Sequence, residues 1–237
     1  MSKTTLTGNH NYCEFKQETV IDRANKMVEI RDGLDISDLH IKLSYGNRKT
    51  GSLVPSISLI PIADCGANCK VCAKGCYAIR NVACYAASRK MMAQNSAIAH
   101  GDLPRYFREL DAAVKFVRFF RIHVAGDIIS SEYLAGMVDV AQKNTHCKFL
   151  CFSKQFRIVN DYLDSHSEGF PENLKIIFSE WRGLNVPNPH NLPTSRPLWK
   201  GETAEGVMCP GSCSECAAFD TGCWSLKNGE RVLFEAH

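Results

Sequence analysis

Eight of the chain's twelve cysteines stand in two short runs. The first is Cys65-x3-Cys69-x2-Cys72-x3-Cys76, and the second is Cys209-x3-Cys213-x2-Cys216-x6-Cys223. Both contain C-x3-C-x2-C and then a fourth cysteine, a spacing that lets one loop wrap several thiolates around a single centre. Thiolates at such spacing are the ligands of iron–sulfur clusters and of structural zinc sites. Secreted chains turn cysteines into disulfides, whereas ligand spacing in an intracellular chain favours metal. The reading is therefore two metal centres.

The rest of the sequence bounds where such centres can work. With 237 residues and 45% apolar composition, the chain can bury one sizeable core and a small added module. A formal charge of +3 gives no indication of nucleic acid. No apolar run approaches the roughly 20 residues of a membrane span. The first residues, Met1 to Gly8, lack an apolar signal core, so a cytoplasmic location is expected.

Periodicity predicts the elements that position the thiols. Residues 1–50 stay unassigned. The alternation Ser56–Pro61 predicts a short strand leading into the first cysteine run. Residues 82–100 read as a helix, and Asp102 with Pro104 predicts another through about Lys115. Val117–Val124 predicts a strand ended by Ala125-Gly126-Asp127. Ser130 or Ser131 caps a helix carrying Leu134, Met137, Val138 and Ala141. A strand over Lys148–Ser153, a helix over residues 155–164 and a strand over Leu174–Phe178 follow. Strands alternating with helices argue for a parallel sheet, as an open sheet or a partial (β/α) barrel. The core spans residues 51–185. Residues 186–237 form a proline-rich loop and a C-terminal cysteine module, read as an appendage.

In parallel α/β folds, sites form at the carboxyl ends of strands. Those ends carry the first cysteine run, Gly126-Asp127, Ser153-Lys154 and Ser179-Glu180-Trp181. Strand alternation places Arg121 and His123 on one side. His123 reads either as a packing residue or as a pocket group. Asp127 reads as a cofactor contact or as the cap of the next helix. Lys154 is a partner for a carboxylate or phosphate, or a solvated cation. Cys84 is a spare ligand at most, and Cys13, Cys147 and Cys151 are structural or free thiols. Arg105, Arg108, Lys115, Arg118 and Arg121 read as a helix's solvated face.

C-x3-C-x2-C after a first strand resembles the cluster loop of radical S-adenosylmethionine enzymes. That resemblance implies Cys65, Cys69 and Cys72 on a 4Fe–4S cluster with one iron open to S-adenosylmethionine. It also implies Gly126 and Asp127 in place of a Gly-Gly-Glu-like turn. The chain departs from that pattern in having Val71 before the third cysteine, a single glycine, and Cys76, which would close the cluster. A second set of residues resembles the phage gene-product-88-like family. It comprises Cys76-Tyr-Ala, Asn95, Arg121-x-His123-x-x-Gly126-Asp127, Glu132-Tyr133-Leu134 and Phe152-Ser153-Lys154. This resemblance, over about residues 55–225, implies a protein of phage or mobile-element origin in the host cytoplasm.

Three expectations follow. The first is a radical S-adenosylmethionine-like enzyme with one or two 4Fe–4S clusters and His123, Asp127 and Lys154 in the pocket. In it, Gly126, Asp127 and Ser179 hold a small-molecule cofactor. The second is an electron-transfer protein with closed clusters and a host redox partner. The third is a zinc-stabilised interaction module.

Overall fold

Parallel strands need a crossover of a dozen or more residues between them, so alternating strand and helix patterns fix the architecture. A computed structural model describes residues 19–46 and 50–236; Cys13 and the rest of residues 1–18, part of the unassigned N-terminal segment, lie outside them. Among the described residues seven strands form one sheet: β1 (Ser56–Ile57), β2 (Phe119–Ile122), β3 (Lys148–Ser153), β4 (Leu174–Ser179), β5 (Thr194–Leu198), β6 (Val207–Met208) and β7 (Arg231–Glu235). Their order is β1-β2-β3-β4-β5-β7-β6, and each pair is parallel. The sheet is open, with β1 and β6 at its edges.

The helices are α1 (Val20–Asp32), α2 (Tyr77–Cys84), α3 (Ala86–Gly101), α4 (Leu103–Ala113), α5 (Ser131–Lys143), α6 (Phe156–Ser165) and α7 (Cys213–Phe219). Their starts follow from capping chemistry. Asp102 accepts from the Arg105 N–H at 3.0 Å, with Pro104 in the first turn of α4. Ser130 accepts from the Tyr133 N–H at 3.1 Å and starts α5. Thr19 and Asp22 make a reciprocal capping box for α1, a helix within the segment left unassigned from sequence.

Because β1 to β4 follow in chain order, right-handed crossovers place their helices on one face. There Phe120, Ile122, Phe149, Cys151 and Phe178 pack with Tyr106, Tyr133, Met137 and Val159. Cys147 is buried in the same cluster. On the opposite face Phe119, Leu150 and Ile177 meet Ala217, Trp224, Leu226 and Val232. A third cluster joins α1, α2 and α3 through Met27, Ile79, Val82 and Met92. No helix among the described residues is long and apolar enough to cross a membrane.

The C-terminal segment departs from the expected appendage. β5 pairs with both β4 and β7, so residues 194–235 continue the sheet and cover one of its faces. Pro197 inside β5 conceals that strand, since proline argues against an interior position.

Candidate functional site

At the carboxyl ends of the strands a cavity of about 220 Å³ opens, and Cys65, Cys69, Cys72 and Cys76 all line it. The run descends through three short 3-10 turns, Ala63–Cys65, Ala67–Val71 and Ala73–Gly75, before Cys76 leads into α2. Its entry is strained: Ile62, a β-branched residue, holds φ at 72°. That conformation aims the Ile62 N–H at Cys65 Sγ, 3.3 Å away. Two amides staple the loop to the end of β3. Gln155 Nε2 donates to the Cys65 carbonyl and Asn68 Nδ2 to the Lys154 carbonyl, each at 2.6 Å. Buried Asp64 fixes the loop from below, accepting from Ile60 N–H at 2.8 Å and facing His100 Nε2 at 2.9 Å.

The thiols hold one another. A hydrogen bond with Cys65, then burial, pushes Cys69 up to about 12, while Cys72 pulls the other way. Its hydrogen bond with Cys69, then burial, raises Cys72, and the Lys154 charge opposes them. Burial raises Cys76, against the N–H groups of Ile79 and Ala78 at the start of α2. Among the described residues no group of three or more His, Cys, Asp or Glu side chains is arranged so that it could hold a metal ion. Four thiols line the cavity, one of them accepts a backbone N–H, and the Lys154 charge acts on Cys72.

The facing wall comes from the ends of β2, β3 and β4. His123 follows β2 with φ at 63°, a left-handed conformation that breaks strand alternation. Arg121 and His123 consequently do not share a side. His123 turns toward the helices, with Nε2 3.0 Å from the Tyr133 hydroxyl, which is 2.8 Å from that of Tyr106. Burial lowers its pKa to about 3, so it is a neutral imidazole. Arg121 points to the other face, where Nη1 donates to Cys213 Sγ at 3.6 Å and the guanidinium lies 4.8 Å over the Phe152 ring. It is 6% exposed, so it does not belong to a solvated basic face.

The turn after β2 is built around Gly126 and Asp127. At φ 82°, Gly126 lies so close to β1 that a Cβ would stand 2.7 Å from Leu59 Cβ. Asp127 does not cap α5. It accepts from Ile128 N–H at 2.8 Å, the Ser153 hydroxyl at 2.7 Å and Lys154 N–H at 2.8 Å. Burial still raises its pKa to about 6. Lys154 Nζ donates to Ser179 Oγ at 3.1 Å, and both residues line the cavity. Trp181, expected at the end of β4, lines the cavity, and Phe152, Phe234 and Tyr77 add aromatic walls that strand order alone does not assign to a site. Cys84 is exposed on α2 and outside the lining. Asn95 is a buried cross-link, bonding Lys42 on both N–H and carbonyl and also the Ser58 carbonyl.

The second cysteine run packs on the sheet face opposite the helices, with Cys209, Cys213, Cys216 and Cys223 beside Phe119 and Trp224. Burial, then Cys209, pushes Cys223 up to about 12 while Arg121 opposes. Burial, then Cys209 and Cys213, raises Cys216.

Fold and site thus define an open parallel α/β protein with one cysteine-lined cavity at its strand ends and a second cysteine group behind it. The chain belongs to the gene product 88 family, whose sequence pattern matches residues 36–187. That span holds the first cysteine run and the β2, β3 and β4 ends, while the C-terminal run lies beyond it. No curated protein and no solved structure matches the chain.

Proposed function

We propose that the chain is an iron–sulfur protein in which Cys65, Cys69 and Cys72 hold a 4Fe–4S cluster against the cavity, with a second centre on Cys209, Cys213, Cys216 and Cys223. The observation that carries this reading is the convergence of the first run's four cysteines on one cavity wall, facing Asp127 and Lys154. A bound cluster would supply one-electron reduction, and with an iron left open, reductive cleavage of S-adenosylmethionine. The chain's own residues then have definite tasks. Lys154, oriented by Ser179, presents an ammonium for a carboxylate or phosphate. Asp127 fixes the β3 end and keeps Lys154 in place through its backbone N–H. Gly126 brings that turn against β1, and the aromatic walls keep water from the reacting groups. His123, neutral and bonded to Tyr133, stays an uncharged part of the wall.

A second reading, a closed electron-transfer centre, is favoured by one observation: Cys76 lines the same cavity as the other three thiols. Anaerobic purification with iron and sulfide quantification tests both. The expected protein is brown, with broad visible absorbance. A colourless protein with stoichiometric zinc would end both iron readings. S-adenosylmethionine should perturb the reduced cluster's electron paramagnetic resonance if an iron is open. A response in Cys76→Ala but none in wild type would establish the closed centre.

A further inference from the structure

Arg121 is a buried cation whose surroundings lack the usual counter-ion. It sits on the third residue of β2 and is 6% exposed. Removing a guanidinium from water is strongly unfavourable unless an anion compensates it. Among the described residues no carboxylate lies within ion-pair distance of it. Its neighbours are Cys213 Sγ at 3.6 Å, the Phe152 ring at 4.8 Å, and Tyr77 and Cys223 within electrostatic reach. Its Nε, sealed from solvent, has no acceptor. The same side chain also lines the cavity of the first cysteine run.

The four C-terminal thiols pack in one cluster on the sheet face to which Arg121 points. The Gly211 N–H donates to Cys209 Sγ at 3.4 Å. Gly222, at φ 59°, leaves the Cys216 sulfur room that a Cβ would take, since that atom would stand 2.8 Å from Sγ. Neutral thiols here would leave the guanidinium uncompensated and its Nε orphaned. A metal-held thiolate group supplies both the charge and an acceptor.

We propose that Arg121 is the counter-cation of a thiolate-held centre on Cys209, Cys213, Cys216 and Cys223, and that it links the charge of this centre to the cavity of the first run. The proposal rests on the reading that both runs hold metal centres. It makes Arg121 a positioning residue shared between the C-terminal group, which it contacts, and the cavity, which it lines.

The test compares full-length wild type, Arg121→Met and Arg121→Lys, all purified anaerobically. Metal content is measured, and N-ethylmaleimide labelling is followed peptide by peptide. In Arg121→Met, labelling of the C-terminal four cysteines should become at least tenfold faster, while Cys65 to Cys76 change less than twofold. Arg121→Lys, which keeps the charge, should stay within about threefold of wild type. If the C-terminal centre is a cluster, losing the cation should shift its reduced-to-oxidised ratio about tenfold toward oxidised, ~59 mV for one electron. Equal labelling in Arg121→Met and wild type would overturn the proposal, as would equal damage in Lys and Met variants. Should Arg121→Met unfold, hydrogen exchange at Arg121 Nε decides: it must accelerate when ferricyanide and EDTA strip wild type, and an unchanged rate overturns the assignment. Zinc on the C-terminal thiols would end the iron reading there and leave the Arg121 comparison intact. Unprotected C-terminal thiols in wild type would overturn the Arg121 proposal itself.

Discussion

Asp127 and His123, four residues apart, are both buried and respond to pH in opposite directions. Burial raises Asp127 to about 6, against the bonds from Lys154, Ser153 and Ile128. An unfolded aspartate titrates near about 3.9. The folded value is the higher one, so this group's stabilisation is complete below about pH 4 and is lost as pH rises through 6, about 3 kcal/mol in all. Burial lowers His123 to about 3, below its unfolded value of about 6.5. Its contribution is complete above about pH 6.5 and is lost as pH falls through 3. Between pH 4 and 6 the two slopes oppose. Urea unfolding of Asp127→Asn should therefore show stability rising with pH across that window more steeply than wild type. A variant curve parallel to wild type would mean that Asp127 does not titrate there. His123→Asn, which keeps a residue tolerant of left-handed φ, should instead flatten the acid limb and leave the Asp127 slope.

Between single residues and the sheet stand the loops that set the cavity's shape. Gly126→Ala adds a Cβ 2.7 Å from Leu59 Cβ at φ 82°. Left-handed backbone costs roughly 1–2 kcal/mol and overpacking roughly 1–3, so a loss on the order of 2–5 kcal/mol of unfolding free energy is expected from urea denaturation. Leu59 N–H donates to the Ala125 carbonyl at 2.9 Å, so the displacement should also loosen the cysteine loop and speed alkylation of Cys65. Gly183→Ala, with φ at 74° and no atom within 4 Å of its Cβ, is the control for backbone strain alone. Gln155→Ala should cost about 1 kcal/mol yet accelerate labelling of Cys65 to Cys72, because it removes the bond to the Cys65 carbonyl. These elements differ in how far the sequence reveals them. Lys148–Ser153 reads as a strand because its apolar run is bounded by turn residues, and Ser130 declares the start of α5 before it. Gln155 gives no local sign, since its partner lies ninety residues back in the chain. The turn of His123 away from Arg121 is likewise invisible to alternation, because it comes from one left-handed φ. The first cysteine group is legible because its four residues are close neighbours in sequence, whereas the Arg121–Cys213 contact depends on how a distant segment packs.

Across the whole molecule the decisive feature is that the C-terminal segment completes the sheet. A detachable appendage could be removed without harm; the pairing and packing of this segment argue that its loss should unfold the sheet. Deleting residues 200–237 strips β7 from β5 and uncovers Phe119, Leu150 and Ile177. It also discards Trp224, Leu226, Val232 and Leu233, each 5% exposed or less. At roughly 1.5–3 kcal/mol for each buried side chain, those four alone approach the 5–15 kcal/mol that separates a typical folded domain from its unfolded chain. The link from the Lys175 ammonium to the Leu226 carbonyl goes as well. The truncated chain should therefore aggregate or bind a hydrophobic dye, with its near-ultraviolet circular dichroism lost and no cooperative urea transition. A monomeric truncation that unfolds cooperatively would show instead that residues 20–199 form a core of their own. The contrast bears on the chemistry too. If the C-terminal face is integral, Arg121 stays buried between the two cysteine groups only in the intact chain, and neither group can be assayed faithfully in isolation.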